Sequence, residues 1–163
     1  MQRKRIDVLE LDVPNLIKLL NKAFADEWLA YYQYWAGARL VKGPLKGAVV
    51  AELNEHAQDE LVHAEKLATR IIQLGGTPLL EPKEFYEQTN CGITPPTDPR
   101  VRTLLEQNIK GEQCAIDIYN QLLKMTKDKD DVTNNLMLEL MEDEMEHEHD
   151  LQMLLEDLDL MGK

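Results

Sequence analysis

No apolar run in the 163-residue chain approaches the roughly 20 residues of a membrane span, and the first residues lack the apolar core of a signal peptide. A soluble, cytoplasmic protein with no membrane partner is the expectation. Cysteine is nearly absent: Cys91 and Cys114 are too few and too far apart for a disulfide framework or a four-thiolate metal site, although a single pair between them stays open. Glycine (8) and proline (7) are sparse and gather at a few points, which leaves long stretches free for helix. Cations are also short, Lys+Arg 18 against Asp+Glu 30 for a net charge of -12. That balance argues against a general nucleic-acid binder, which needs a basic face to neutralise phosphates. The one basic cluster, Arg3, Lys4 and Arg5, is too small to reverse this, so DNA contact is not expected and cations are the natural partners. A chain of this length suits one domain, residues 1–163, with residues 1–11 as an N-terminal extension.

Hydrophobic periodicity gives four long helices. The first starts near Asp12 as N-cap, carries Leu16, Leu20, Ala23, Ala30 and Tyr34 at three-four spacing, and stops at Gly43-Pro44. The second starts around Leu45 to Gly47, places Val49, Leu53, Ala57, Ala64, Leu67 and Ile71 on one face, and ends at Gly75-Gly76. At 1.5 Å per residue it runs roughly 42 Å, and its short link to the first helix makes the two antiparallel neighbours. Residues 76–98, with Pro78, Pro82, Pro95 and Pro96, are too long for a simple turn and read as a crossover along the bundle, with Glu84 to Gln88 available for a short helix on the way. The third helix then runs parallel to the second. Asp98-Pro99 reads as its N-cap and first residue, and Val101, Leu105, Ala115, Tyr119 and Leu122 form its stripe. After a charged turn the fourth spans Val132 to Leu160, with Met137, Leu140, Met141, Leu151, Leu154 and Leu158 inward. The fold class is an all-α four-helix bundle with a long crossover between its second and third helices and no fifth helix.

One glutamate interrupts each apolar stripe: Glu27, Glu60, Glu112 and Glu144. Four carboxylates pointing into one core would prevent folding unless protons or cations neutralise them, since each costs at least several kcal/mol unpaired. Glu60-Leu61-Val62-His63 and Glu144-Met145-Glu146-His147 add an imidazole at i+3, on the same helix face as each glutamate. Two divalent ions would cancel four carboxylates, and hard oxygens with two nitrogens suit iron or manganese, with zinc also able to bind. The set repeats. Glu27 and Glu60 are 33 residues apart, Glu112 and Glu144 are 32 apart, and Tyr34 and Tyr119 each follow a lone glutamate by seven. Asp59 and Asp143 immediately precede the two Glu-x-x-His units. A single Glu on a helical stripe is commonly a solvated edge residue, and one Glu-x-x-His is weak; the six together on four core faces point to a two-metal site. The cysteines alone allow two readings, a packed Cys114 with an incidental loop thiol at Cys91, or a functional pair.

At these residues the chain resembles the ferritin-like superfamily, and within it bacterioferritins. Asp143 to His147 followed by Leu154 to Gly162 resembles the end of the bacterioferritin bundle, and Asp59 to Glu65 resembles its second helix. The resemblance implies two iron ions held terminally by Glu27 and Glu112, bridged by Glu60 and Glu144, and completed by His63 and His147. It further implies that Asp59 and Asp143 orient the opposite histidines and that Tyr34 sits beside the metals. Leu61 stands where bacterioferritins carry a haem-ligating methionine, so no haem is expected. The chain stops at Lys163 without the fifth helix of the 24-subunit shell, which implies a smaller cage. With Cys91 and Cys114 near the site, it is similar to the Dps-like, or thioferritin, branch, which implies a redox-active cysteine pair and a twelve-subunit cage. The function so implied is a ferroxidase mini-ferritin. It would oxidise Fe(II) with hydrogen peroxide or dioxygen for iron storage and oxidative-stress protection. Two other functions fit the same bundle: a di-metal peroxidase or manganese-catalase-like enzyme, and a non-catalytic helical binding module with protonated core glutamates.

Overall fold

The computed structural model describes residues 10–162; Arg3, Lys4, Arg5, most of the expected N-terminal extension, and Lys163 lie outside the described residues. The helix α1 spans Val13–Leu40 and begins where the Asp12 carboxylate accepts the Asn15 backbone N–H at 3.1 Å. Pro14 sits in its first turn, where a missing N–H leaves no intrahelical bond unmade. After a short turn in which Leu45 adopts φ 60°, α2 spans Lys46–Gln73. It ends at Gly75, whose φ of 89° is reached at no steric cost only without a Cβ, and at Gly76, where a Cβ would stand 2.6 Å from Ile17 of α1.

The expectation of four helices with no fifth is corrected here: the described residues form five. The additional helix, α3 (Pro82–Gln88), lies inside the crossover. Its start is fixed by a capping box, in which the Glu84 carboxylate accepts the Glu81 N–H at 2.9 Å while the Glu81 side chain accepts the Glu84 N–H, and Pro82 takes the first helical position. Phe85 then anchors it, stacked on Trp28 at 5.9 Å between centroids and edge-on to Phe24 at 5.8 Å. The crossover is thus docked on α1 by aromatic packing that no short-range periodicity encodes.

A second correction concerns α4 (Val101–Thr126), whose N-cap is Arg100 and not Asp98. Asp98 instead accepts the Arg100 N–H at 3.1 Å and the Thr103 hydroxyl at 2.9 Å. The chain entering α4 pairs with the end of α1, Lys42 N–H to Pro99 O at 2.7 Å and Val101 N–H to Lys42 O at 3.0 Å. The last long helix, α5, spans Asp131–Met161 with Asp130 as N-cap. The start of α4 lies beside the link leading into α2, and the start of α5 lies beside the end of α2, so α4 runs parallel to α2. Helix α1 packs mainly on α2 and α4 on α5. None of these helices is long and apolar enough to cross a membrane, among the described residues.

The apolar core is divided in two. Leu16, Leu20, Phe24, Leu67, Ile71, Tyr119, Leu122, Met137 and Leu140 fill one end, and Tyr34, Val49, Leu53, Leu104, Leu105 and Leu151 fill the other. Every long helix contributes to both, and the interrupting glutamate of each falls between them. Met141, Leu154 and Leu158 pack against these clusters only as half-buried edge residues.

A buried ion pair ties α2 to α5. The Arg70 guanidinium donates to both Asp130 oxygens at 2.9 and 2.8 Å and to the Thr133 hydroxyl at 2.7 Å, and the same Asp130 caps α5 through the Thr133 N–H at 3.0 Å. Removing the aspartate strands a buried guanidinium, a loss of about 3–5 kcal/mol, and removes a cap. Asp130→Ala therefore lowers the denaturation midpoint strongly. Exposed Asp131→Ala, in the same helical turn, costs less than about 1 kcal/mol. Equal midpoints for the two variants contradict this account.

Candidate metal centre

The six donors singled out by their position on the stripes converge in the layer between the two apolar clusters. Glu27 (α1), Glu60 and His63 (α2), Glu112 (α4), and Glu144 and His147 (α5) are all buried, none more than 4% exposed. His63 Nδ1 lies 3.2 Å from Glu60, 3.1 Å from Glu144 and 3.6 Å from Glu27. His147 Nδ1 lies 3.1 Å from Glu144, 3.5 Å from Glu60 and 3.9 Å from Glu112. Two groups of four donors result, Glu27, Glu60, His63 and Glu144, and Glu60, Glu112, Glu144 and His147, with the donor atoms of each group within 4.8 Å of one another. Glu60 and Glu144 belong to both. This arrangement of carboxylate oxygens and imidazole nitrogens is suited to two adjacent metal ions that share two carboxylates.

The layer around these donors fixes their orientation. His63 Nε2 faces Asp143 at 3.1 Å and His147 Nε2 faces Asp59 at 3.3 Å, each aspartate coming from the opposite helix of the α2–α5 pair. A carboxylate on Nε2 holds the proton there and turns Nδ1 toward the glutamates. The tyrosines are crossed: the Tyr34 hydroxyl of α1 donates to Glu112 of α4, and the Tyr119 hydroxyl of α4 donates to Glu27 of α1. Cys91 of the crossover and Cys114 of α4 form a disulfide, with Cα atoms 5.8 Å apart. A cavity of about 110 Å³ leads from Cys91 past Gln33 and Asn108 to Glu27, Glu60 and Glu112.

Several residues of this region escape sequence reading. Asp26 is buried and accepts from the Thr89 hydroxyl, the Asn90 and Cys91 N–H groups at 2.7 and 2.9 Å, and the Asn90 amide at 2.7 Å, so it pins the crossover over the site. Its signal was available, since an aspartate precedes the glutamate here as at Asp59 and Asp143. Gln33 donates to Asn108 at 2.7 Å and accepts the Thr94 N–H at 2.7 Å, a second tie from α1 to the crossover. His56, one turn before Glu60, stacks on the His147 ring at 4.0 Å and meets Tyr34 edge-on.

Electrostatics follow from burial and crowding. Burial, reinforced by Glu144 and Glu60, pushes the Glu27 and Glu112 carboxyls well above the ordinary carboxylate range. Burial works the same way on Glu60, but hydrogen bonds with His147 and His63 outweigh it and hold this carboxyl low. Against burial, hydrogen bonds to Glu144 and Glu60 push the His147 imidazole up to about 12, and Glu144, Glu27 and Glu60 raise His63 likewise. Burial first, then Glu112 or Glu27, raises the Tyr34 and Tyr119 phenols, which stay protonated and donate. Burial followed by the charge on His147 lowers His56 to about 3, so this ring is neutral.

The upward shifts of Glu27, Glu112, His63 and His147 all favour the protonated forms, so incoming cations compete with protons at these groups. Loading divalent ions therefore releases protons, and the apparent affinity weakens as pH falls because more protons compete. Calorimetric titration with Zn(II) in buffers of different ionisation heat measures the proton release; a heat independent of the buffer contradicts the assignment.

Comparison with known proteins places this geometry in a family. The ferritin-like domain family, Ferritin, matches residues 17–161. A DNA protection during starvation protein from Pyrococcus furiosus is 32% identical over 148 residues, covering 90% of this chain and 80% of that protein. A bacterioferritin from Desulfovibrio desulfuricans is 32% identical over 133 residues, 81% of this chain and 69% of its own length. Among solved structures, a dodecameric thioferritin, the bacterioferritin-related protein from Bacteroides fragilis, superposes with a TM-score of 0.95 at 42% identity, covering 96% of this chain and 95% of that one. Dps from Thermosynechococcus elongatus, at 20% identity and a TM-score of 0.82 over 87% of this chain and 90% of its own, shares the fold. The chain belongs to the ferritin-like family, related to thioferritins, bacterioferritins and Dps proteins and carrying donor clusters consistent with a di-iron site.

Proposed function

We propose that this protein is a ferroxidase mini-ferritin that binds two Fe(II) ions as substrate through Glu27, Glu60, His63, Glu112, Glu144 and His147. The observation that carries the reading is the pair of four-donor groups sharing Glu60 and Glu144, because two ions held so closely can each give one electron to a single oxidant. Hydrogen peroxide takes both electrons as its O–O bond breaks, leaving two Fe(III) and no one-electron oxygen radical; dioxygen is the alternative oxidant. Glu27 and Glu112 hold one ion each from the outside, and their crossed tyrosines keep the carboxylates aimed inward. Asp143 and Asp59 keep His63 and His147 in the tautomer that offers Nδ1. The cavity beside the Cys91–Cys114 disulfide would offer an oxidant a path to the donors, and the disulfide would act beside it as a redox-active pair.

The ferric product would be stored in a cage of twelve chains, the assembly named for the similar Bacteroides fragilis thioferritin. The cellular role would be iron storage combined with oxidative-stress protection.

Peroxide added to the Fe(II)-loaded protein gives fast ferric absorbance in stopped flow. Glu60→Ala slows it at least about 100-fold, and Asp143→Ala weakens metal affinity about 10–100-fold while leaving the ligands in place. Equal oxidation rates for wild type and Glu60→Ala would sink the assignment, and oxygen release from peroxide by manganese-loaded protein would favour a catalase. Sedimentation equilibrium should return roughly twelve times the 18.8 kDa chain mass; a monomer or dimer removes the cage.

A further inference from the structure

The face of the bundle opposite the disulfide, between α2 and α5, holds a second cluster of donors. Glu52 and His56 are successive on α2 at i and i+4, and Asp150 lies on α5 one turn beyond His147. One donor atom from each of the three lies within 4.8 Å of the other two. None of the three is among the six residues assigned above.

We propose that Glu52, His56 and Asp150 hold a separate divalent transition-metal ion beside the two-metal centre. His56 is the decisive residue. It is 1% exposed, and neither of its ring nitrogens has a hydrogen-bond partner in the protein. A buried polar group left unpaired costs about 1–3 kcal/mol, so an imidazole with two idle nitrogens needs a ligand to justify its place. The nearest oxygen, Glu52 Oε1, is 3.0 Å from Nε2 but lies off the direction in which that nitrogen donates or offers its lone pair. That placement is poor for a hydrogen bond and good for a shared ion. Two donors each about 2.1 Å from one ion and at right angles around it stand about 3.0 Å apart, with the ion on the nitrogen axis.

Access and charge support the site. A cleft of about 160 Å³ opens onto His56 and Asp150 and is walled by Glu55, Asp59, Asp143 and Glu146, whose carboxylates draw cations inward. The Glu52 side chain, 27% exposed, stays in reach of solvent, which can complete the coordination shell. One imidazole and two carboxylates suit Fe(II), Zn(II), Mn(II) or Co(II) and discriminate against the all-oxygen preferences of Mg(II) and Ca(II). A donor atom of His56 also lies within 4.8 Å of donors on Glu112 and His147, so an ion here sits alongside the two-metal centre with one ring between them.

Native mass spectrometry of the full chain equilibrated with three equivalents of Zn(II) tests this by difference. Wild type holds one ion more per chain than the Glu52→Gln/Asp150→Asn double variant, whatever the occupancy of the six-ligand centre, while Glu146→Gln on the cleft wall keeps the wild-type count. In wild-type crystals grown with Zn(II), an anomalous peak within about 2.3 Å of a His56 nitrogen is expected. Equal counts for wild type and the double variant, or a cleft ion with no peak near His56, overturns the proposal. Two ions lost from all variants alike, with the His56 peak retained, would instead count against the six-ligand centre alone.

Discussion

Everything in this bundle is arranged around the burial of four carboxylates in one layer. Glu27, Glu60, Glu112 and Glu144 lie where the apolar core would otherwise be continuous, and the two hydrophobic clusters on either side exclude the water that would solvate them. Such a layer is unstable unless positive charge enters it. Crowding and burial shift His63, His147, Glu27 and Glu112 toward their protonated forms, which lowers the negative charge of the layer, and cations on binding would do the same. Affinity for metal and tolerance of its absence thus come from the same crowding.

The rest of the architecture keeps the layer rigid. Tyrosines donate across the bundle to the terminal carboxylates, aspartates at the α2–α5 seam orient the imidazoles, and Asp26 and Gln33 clamp the crossover over the α1–α4 side. The Arg70–Asp130–Thr133 cluster ties α2 to α5 beyond the cleft. Each device joins polar groups that have a partner in the protein, which distinguishes them from His56.

What could be read from the sequence was whatever repeats with a helical period. The long helices followed from stripes and caps such as Asp12, and the six donors stood out as interruptions at matching places in four stripes. Features set by contacts distant in sequence were not legible. A short helix from Glu84 to Gln88 was open to sequence reading, but the docking of α3 depends on Phe85 meeting Trp28 and Phe24, and the start of α4 depends on Lys42 pairing with the backbone around Arg100, so Asp98-Pro99 misled as a start signal. Tyr34 and Tyr119 could be placed on their faces, but periodicity names a face and not a partner. The crossed pairing needed the packed helices. The burial of His56 against His147 likewise needed the packed helices.

The crossed tyrosines carry one more consequence. Each hairpin, α1–α2 or α4–α5, holds one tyrosine–glutamate helix and one Glu-x-x-His helix, and each tyrosine serves the other hairpin's glutamate. Half of the chain is therefore chemically self-complementary and incomplete alone. The joined chain departs from that symmetry at its approaches: Asp26 and Cys114 have Gly111 and Leu29 at the corresponding points of the other glutamate helix, and His56 has Leu140 on the other Glu-x-x-His helix. A symmetric donor layer with unequal approaches presents one chemistry on the disulfide side and another between α2 and α5, an asymmetry that two identical halves could not provide.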